Sequence, residues 1–232
     1  MNVDPNRRYG VITGDVVGSS GLEAHDRRRL LDVLHRCLAA ARQHFPLAIE
    51  EEGEVFSGDS WQLLISRPAD SLRVAIFCRT WIVGEMNLKG LDVRAAAAIG
   101  RVDFVPPGHV SQGDGEAFRL SGRTLAAMDP RRIRLVGEGL AGWSAAVDVL
   151  DEVLRRELNP PRARALAAIL AGKTHEQAAH FFPSRRVDRS TITRLLERVY
   201  AHTVVDLCRR FSEEFDAQNN PQETLPPINR TQ

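Results

Sequence analysis

The alternation of apolar and polar positions divides the chain into short strand-like runs and longer helical ones. Tyr9 to Val17 is the first apolar run. It carries one carboxylate, Asp15, before Gly18, Ser19 and Ser20 open a turn. From Asp26 to Phe45 the residues Leu30, Leu31, Leu34, Leu38 and Ala41 fall at helical spacing, and Pro46 ends the segment. Ile49–Phe56 and Trp61–Ile65 read as two arms of a hairpin around Ser57-Gly58-Asp59-Ser60, because Gly takes positive φ freely. Ala69–Met86 predicts a second helix, Asp92–Val102 a strand and Glu116–Met128 a third helix. The small residues Ala95–Ala98 predict close packing against a helix or a second subunit. Val110 is a candidate start for a short strand. Weaker strand signals lie at Ile133–Val136 and Trp143–Val147, followed by a helix over Val147–Leu158.

Asn159-Pro160-Pro161 is the best boundary in the chain, because tandem prolines cannot continue a helix. Three helical pieces follow: Arg162–Ala171, Thr174–Phe181 and one long helix from Asp188 to about Phe215. Thr174 and Gln177 have capping-box spacing. The last residues, polar and with three prolines, read as disordered. The expected organisation is therefore a domain over 1–158, a small all-α domain over 159–216 and a disordered tail over 217–232. The order β-α-β-β-α-β in the first of these predicts an α+β fold, an antiparallel sheet with helices packed on it.

Charge changes the picture only locally. The 232 residues carry a formal charge of +1, yet Asn159 to Phe211 holds ten Lys/Arg against four Asp/Glu. A basic excess confined to one helical segment suits nucleic acid. Cys37, Cys78 and Cys208 are far apart and form no CxxC pair, which argues for a reducing compartment and against a zinc site. Met1 to Arg8 lacks an apolar signal core, and no apolar run approaches the ~20 residues needed to cross a bilayer. A cytoplasmic location and no membrane partner are expected.

A carboxylate inside an apolar strand is costly unless something pairs with it, and both a cation and a structural hydrogen bond meet that need for Asp15. Asp59 is a turn residue or a second ligand. If the first strand lies beside the hairpin, backbones ~4.8 Å apart let both side chains reach one hard cation. Magnesium is commonly held by one or two carboxylates plus substrate phosphates. There is no GxxxxGK[ST], so a P-loop is excluded, and the histidines have no ligand spacing.

Four motifs in this order resemble the class III nucleotidyl cyclase domain over roughly residues 9–128: Gly14-Asp15-Val16-Val17-Gly18-Ser19-Ser20, Ser57-Gly58-Asp59-Ser60, Arg94-Ala95-Ala96-Ala97-Ala98-Ile99-Gly100 and Arg119-Leu120-Ser121-Gly122-Arg123. The chain is also similar to the SatD family, through the same strand, the G-D hairpin and Asp114-Gly115-Glu116-Ala117 ahead of C-terminal helices. The resemblance implies a ferredoxin-like, nucleotidyl cyclase-like sheet. It implies Asp15 and Asp59 as ligands of Mg²⁺ or Mn²⁺. It implies Gly18 and Ser19 as backbone donors to a nucleoside triphosphate, and Arg123 as the catalytic cation at the transferring phosphoryl group. It implies a homodimer, with ligands and Arg123 contributed by different subunits. Asp114 is the candidate for base recognition. Two positions depart from the family: Val55 stands where cyclases carry a base-selecting Lys or Glu, and Arg119 stands where they carry Asn.

The stretch from Thr174 to Leu196 resembles the helix-turn-helix of bacterial transcription regulators, with a longer turn. That resemblance implies double-stranded DNA as a partner. Arg189, Ser190, Thr191 and Arg194 would meet base edges from the start of the second helix, and Arg185 and Arg186 would meet phosphates. A helical hairpin used for dimerisation is the other reading. Together these motifs predict a regulator in which a divergent cyclase-like domain binds a magnesium–nucleotide and is coupled to a DNA-binding module. The alternative is an active cyclase, a phosphorus–oxygen lyase, with the C-terminal helices as a dimerisation module.

Overall fold

The fold, a computed structural model, describes residues 3–182 and 187–219. Strand β1 is Arg8–Val17, helix α1 is Ala24–His44, and the hairpin is β2, Glu54–Phe56, with β3, Ser60–Ile65. Helix α2 is Ser71–Met86, β4 is Asp92–Arg101, α3 is Glu116–Ala126 and β5 is Ile133–Gly137. The sheet has five strands in the order β2-β3-β1-β4-β5. β1 pairs antiparallel with both β3 and β4, and only β5 runs parallel, to β4. The first four strands therefore have the ferredoxin-like arrangement within an α+β fold.

Several features of the expected secondary structure change. Trp143–Val147 is not a strand: it lies in helix α4, Ala141–Glu157, where Trp143 packs its ring on Phe211 and Val147 enters the core. A five-residue apolar run has no periodicity of its own, and tertiary packing chose the helix. Val110 opens a short 3-10 turn, Val110–Gln112, not a strand. The first hairpin arm is also shorter than the expected Ile49–Phe56, because only Glu54–Phe56 pairs with β3.

Both faces of the sheet are covered. Ile12 and Val16 of β1, Trp61, Leu63 and Ile65 of β3, and Val93, Ala95, Ala97 and Ile99 of β4 face the main core with α1 and α2. Alternation sends Tyr9 and Val11, with Leu64, to the opposite face, where they meet Ala117 and Phe118 of α3. Ala96 and Ala98 lie on that second face, and their small side chains let α3 pack close on β4. A hydrogen-bonded chain crosses the same interface. Gln62 donates to Thr13 Oγ1 at 2.8 Å, and Thr13 Oγ1 and Ser121 Oγ are 2.8 Å apart, all three buried.

The remaining helices are α5, Pro160–Leu170; α6, His175–Ala178; α7, Arg189–Arg198; and α8, Ala201–Asn219. Asn159 caps α5 and the two prolines occupy its first turn, where a missing N–H costs nothing. Thr174 and Gln177 form the capping box of α6. The expected single helix from Asp188 is two helices. Tyr200 adopts φ +51 between them and turns the chain. The main core continues through these helices: Ala163, Leu166, Ala167, Leu170, Ile192, Val204 and Phe211 belong to one buried cluster with α2. No helix among the described residues is long and apolar enough to cross a membrane.

Candidate functional site

Asp15 lies near the C-terminal end of β1, on the face that α3 covers, two residues beyond Thr13. Two glycines shape this end. A Cβ on Gly14 would lie 2.3 Å from the Trp61 ring and 2.9 Å from the Arg94 backbone oxygen, so glycine lets Trp61 cross beneath the strand. Gly18 has φ +86 as the chain turns into the short 3-10 turn Ser19–Gly21, a conformation that costs an L residue about 1–2 kcal/mol.

The partner of Asp15 is Arg94. The two residues stand opposite each other in the β1–β4 register. Arg94 grips the carboxylate with both arms of its fork: Nε donates to Oδ1 at 2.8 Å and Nη2 donates to Oδ2. The hydrogen bond to Asp15 is the main reason the Arg94 guanidinium is held above its ordinary pKa; burial opposes it, and the charges of Asp15, Asp129 and Asp59 add to it. Only Asp15 touches the guanidinium; Asp59 and Asp129 act on it through their charge, without a hydrogen bond or ion pair to it among the described residues. Asp59 reaches this end because the β3 register, continued past Trp61, brings the hairpin tip beside the end of β1. Arg94 was legible only as a motif letter, although it is the sole charged side chain between Asp92 and Arg101. Asp129 carried no signal at all.

The cleft beside this cluster measures about 400 Å³ and is lined by Thr13, Phe56, Ser60, Gln62, Asp114 and Arg119, among others. Asp114 Oδ1 accepts from the Gly115 amide and from Arg119 Nη1, both at 2.7 Å, so it fixes the entry to α3 as well as facing the cleft. On β2, Val55 packs against the main core, and Phe56 faces the cleft. Glu54 accepts the Ser111 amide at 2.9 Å and lies 3.6 Å from His109 Nδ1. Burial pushes its carboxyl up, but the hydrogen bonds from Ser111 and the nearby His109 outweigh that and hold it below the ordinary value.

Arg123 lies elsewhere. It lines a separate cleft of about 320 Å³ with Met128, Arg131 and Arg134, on the β5 side of α3. It is exposed and has no hydrogen bond or ion pair among the described residues. Within one chain, therefore, Arg123 and Asp114 line different clefts.

In the C-terminal helices His175 Nδ1 and Thr193 Oγ1, 3.1 Å apart, tie α6 to α7. Asp188 caps α7, accepting the Thr191 amide at 2.7 Å and the Ser190 hydroxyl at 2.8 Å. Arg189 and Arg194 are exposed, and Arg194 Nη2 donates to Thr191 Oγ1 at 3.2 Å. Arg185 and Arg186 lie outside the described residues.

A hard cation fits the chemistry of the acidic end. All donors there are carboxylate oxygens, and magnesium needs few protein ligands when phosphates complete its shell. The described residues hold no cluster of three or more His, Cys, Asp or Glu that would cage a metal unaided.

No protein-family model matches the chain, and no curated protein is similar to it. Several solved structures are similar, among them two cyclases. One is the guanylyl cyclase Cya2, at 19% identity and a TM-score of 0.44, over 60% of this chain and 79% of that one. The other is a bacterial light-regulated adenylyl cyclase, at 15% identity and a TM-score of 0.39, over 55% of this chain and 42% of that one. Identities and scores this low leave the sheet topology and the site's own geometry as the grounds for any reading.

Proposed function

We propose that the end of the sheet beneath α3 binds a magnesium–nucleoside triphosphate and that this occupancy regulates a DNA-binding surface on the C-terminal helices. The observation that supports the reading is the strand register, which pairs β1 with β3 and so carries the Asp59 turn toward the end of β1 where Asp15 stands, with the charges of both residues acting on Arg94. Asp15 and Asp59 would hold the cation, which when bound supplies charge neutralisation for phosphate oxygens. Gly18 and Ser19 would offer backbone amides to the phosphates, and the adjoining cleft, with Thr13, Gln62 and Asp114, would take the nucleoside. Arg189, Ser190, Thr191 and Arg194 would face DNA from the start of α7, a helix-turn-helix arrangement in which Asp188 sets the helix end. The test is thermal stabilisation. A ligand at one hundred times its Kd that binds only the folded state adds about 2.7 kcal/mol. A triphosphate with Mg²⁺ should raise Tm in the native protein and not in Asp59→Asn. No shift with any of the four ribonucleoside triphosphates overturns the site. DNA retardation should weaken steeply with salt and be lost in Arg189→Ala/Arg194→Ala.

A second reading is favoured by Arg123. Exposed and unpartnered among the described residues, it is free to be presented to the acidic end of a second copy in a homodimer. The protein would then be a nucleotidyl cyclase, and Mg²⁺ or Mn²⁺ with a triphosphate would release pyrophosphate. Release that survives Arg123→Ala and Asp59→Asn would sink that assignment.

A further inference from the structure

We infer that Arg94 is a built-in competitor for the cation: its guanidinium occupies the carboxylate of Asp15, and a divalent ion binds only as that fork lets go. The inference rests on the reading of Asp15 and Asp59 as cation ligands and adds the residue that sets how tightly they bind.

Three features of the geometry point this way. First, the contact is complete. A guanidinium that uses Nε and Nη2 on the two oxygens of one carboxylate takes up the directions a metal would use, and such charge-assisted pairs are the strong class of hydrogen bond. Second, the pair is placed by register, Asp15 directly across from Arg94 on β4, so the fork meets the carboxylate whenever the sheet is formed. Third, the pair is not sealed in. The Asp15 and Arg94 side chains keep 19% and 28% of their exposure, so the fork has solvent to swing into. The fully buried Arg79 is the contrast within the same fold, with two acidic partners and no route out.

The surrounding charge gives the exchange a direction. With Arg94 seated, the charges of Asp59 and Asp129 still act on it. A divalent ion entering between Asp15 and Asp59 brings two positive charges. The displaced guanidinium keeps Asp129 as a neighbour and carries its own charge toward the phosphates of an incoming nucleotide. Cation binding without nucleotide is therefore weak, and the triphosphate helps by giving the released guanidinium an anion to meet. This makes Arg94 a residue that controls metal affinity without touching the metal.

The experiment is a Mn²⁺ titration followed by the electron-paramagnetic-resonance signal of free Mn²⁺, on the full chain without nucleotide. It compares the native protein, Arg94→Gln, Arg94→Lys, Asp15→Asn and Arg94→Gln/Asp15→Asn. Circular dichroism confirms that each variant is folded. Arg94→Gln, which keeps hydrogen-bonding capacity but no charge, should tighten Mn²⁺ binding about tenfold, equivalent to about 1.4 kcal/mol. Arg94→Lys, a cation without the fork, should fall between, and the double variant should lose the gain. If Arg94→Gln binds no more tightly than the native protein while Asp15→Asn weakens binding, Arg94 is not a competitor and the cation site stands. If Asp15→Asn changes nothing in either background, the cation reading itself fails and this inference with it.

Discussion

Replacing Arg79 by Met tests how the acidic end of the sheet is held in place. The Arg79 side chain is wholly buried on α2. Its Nε and Nη2 donate to Asp92 at 2.9 Å each, and its Nη1 donates to Asp151 at 2.8 Å. Asp92 is the first residue of β4, two before Arg94, so this network clamps the strand end that presents Arg94 to Asp15. Arg79→Met leaves Asp151, only 3% exposed, without a counterion. Breaking a buried pair on one side costs about 3–5 kcal/mol. Two circumstances place this case near 3 kcal/mol. Asp151 keeps the amides of Arg132 and Ile133 at 2.8 and 3.0 Å, and Asp92 is partly exposed with Arg132 Nε at 3.5 Å. Urea unfolding at pH 7, followed by the fluorescence of the three tryptophans, measures the loss.

The pH dependence of the variant is a second handle. Burial already pushes the Asp151 carboxyl up, against the pull of Arg79 and the two amides, and removing Arg79 pushes it further. A carboxyl whose folded pKa is raised holds its proton better in the folded state. Its stabilising contribution is present below the unfolded value of ~3.9 and lost as pH rises through the folded value. The deficit of Arg79→Met should therefore shrink as pH falls from 7 toward 4. Adding Asp151→Asn should recover part of the loss at pH 7, with a coupling energy of about 1.5 kcal/mol or more. A loss below about 1 kcal/mol, or a deficit that does not change with pH, would refute this account of the clamp.

Four further outcomes are expected. Gly14→Ala should cost about 2–3 kcal/mol in chemical denaturation, because its Cβ would enter the Trp61 ring at 2.3 Å. Tyr200→Gly should stabilise by about 1 kcal/mol, since Tyr200 sits at φ +51 with its side chain largely exposed; a lower Tm would refute this. Burial pushes the Cys208 thiol up to about 12 and the Cys37 thiol well above its ordinary value, and Cys78 is buried too. A chromogenic disulfide reagent at pH 8 should find well under one thiol in the native protein and three in denaturant. Glu54, held below its ordinary value, contributes stability above the unfolded pKa and loses it as pH falls through the folded one. Glu54→Gln should therefore cost about 0.5–1 kcal/mol at pH 7 and nothing by about pH 3.

The sequence by itself determined most of the elements. The periodicity of α1 and of α2, the Gly58-Asp59 turn and the capping box at Thr174 are local physics, written in adjacent residues. It also determined that Asp15 needed a partner, because a carboxylate in an apolar strand has few other solutions. Only the tertiary structure decided which partner. Arg94 lies far along the chain from Asp15, and the two meet through a strand register that depends on how β1 is sandwiched between β3 and β4. The same holds where local signals were weak. Trp143–Val147 became helix because Phe211 and the core lie on one side of it, and the long terminal helix broke at Tyr200 so that α8 could return to the core. Asp129 was silent in sequence because an exposed loop residue acquires meaning only from its neighbours, and Arg123 came to rest on the far side of α3 from Asp114 because one helix lines two clefts. Local spacing fixes which residues share an element, while the pairing of elements fixes which charges meet, and the chemistry of this site lies in the charges that meet.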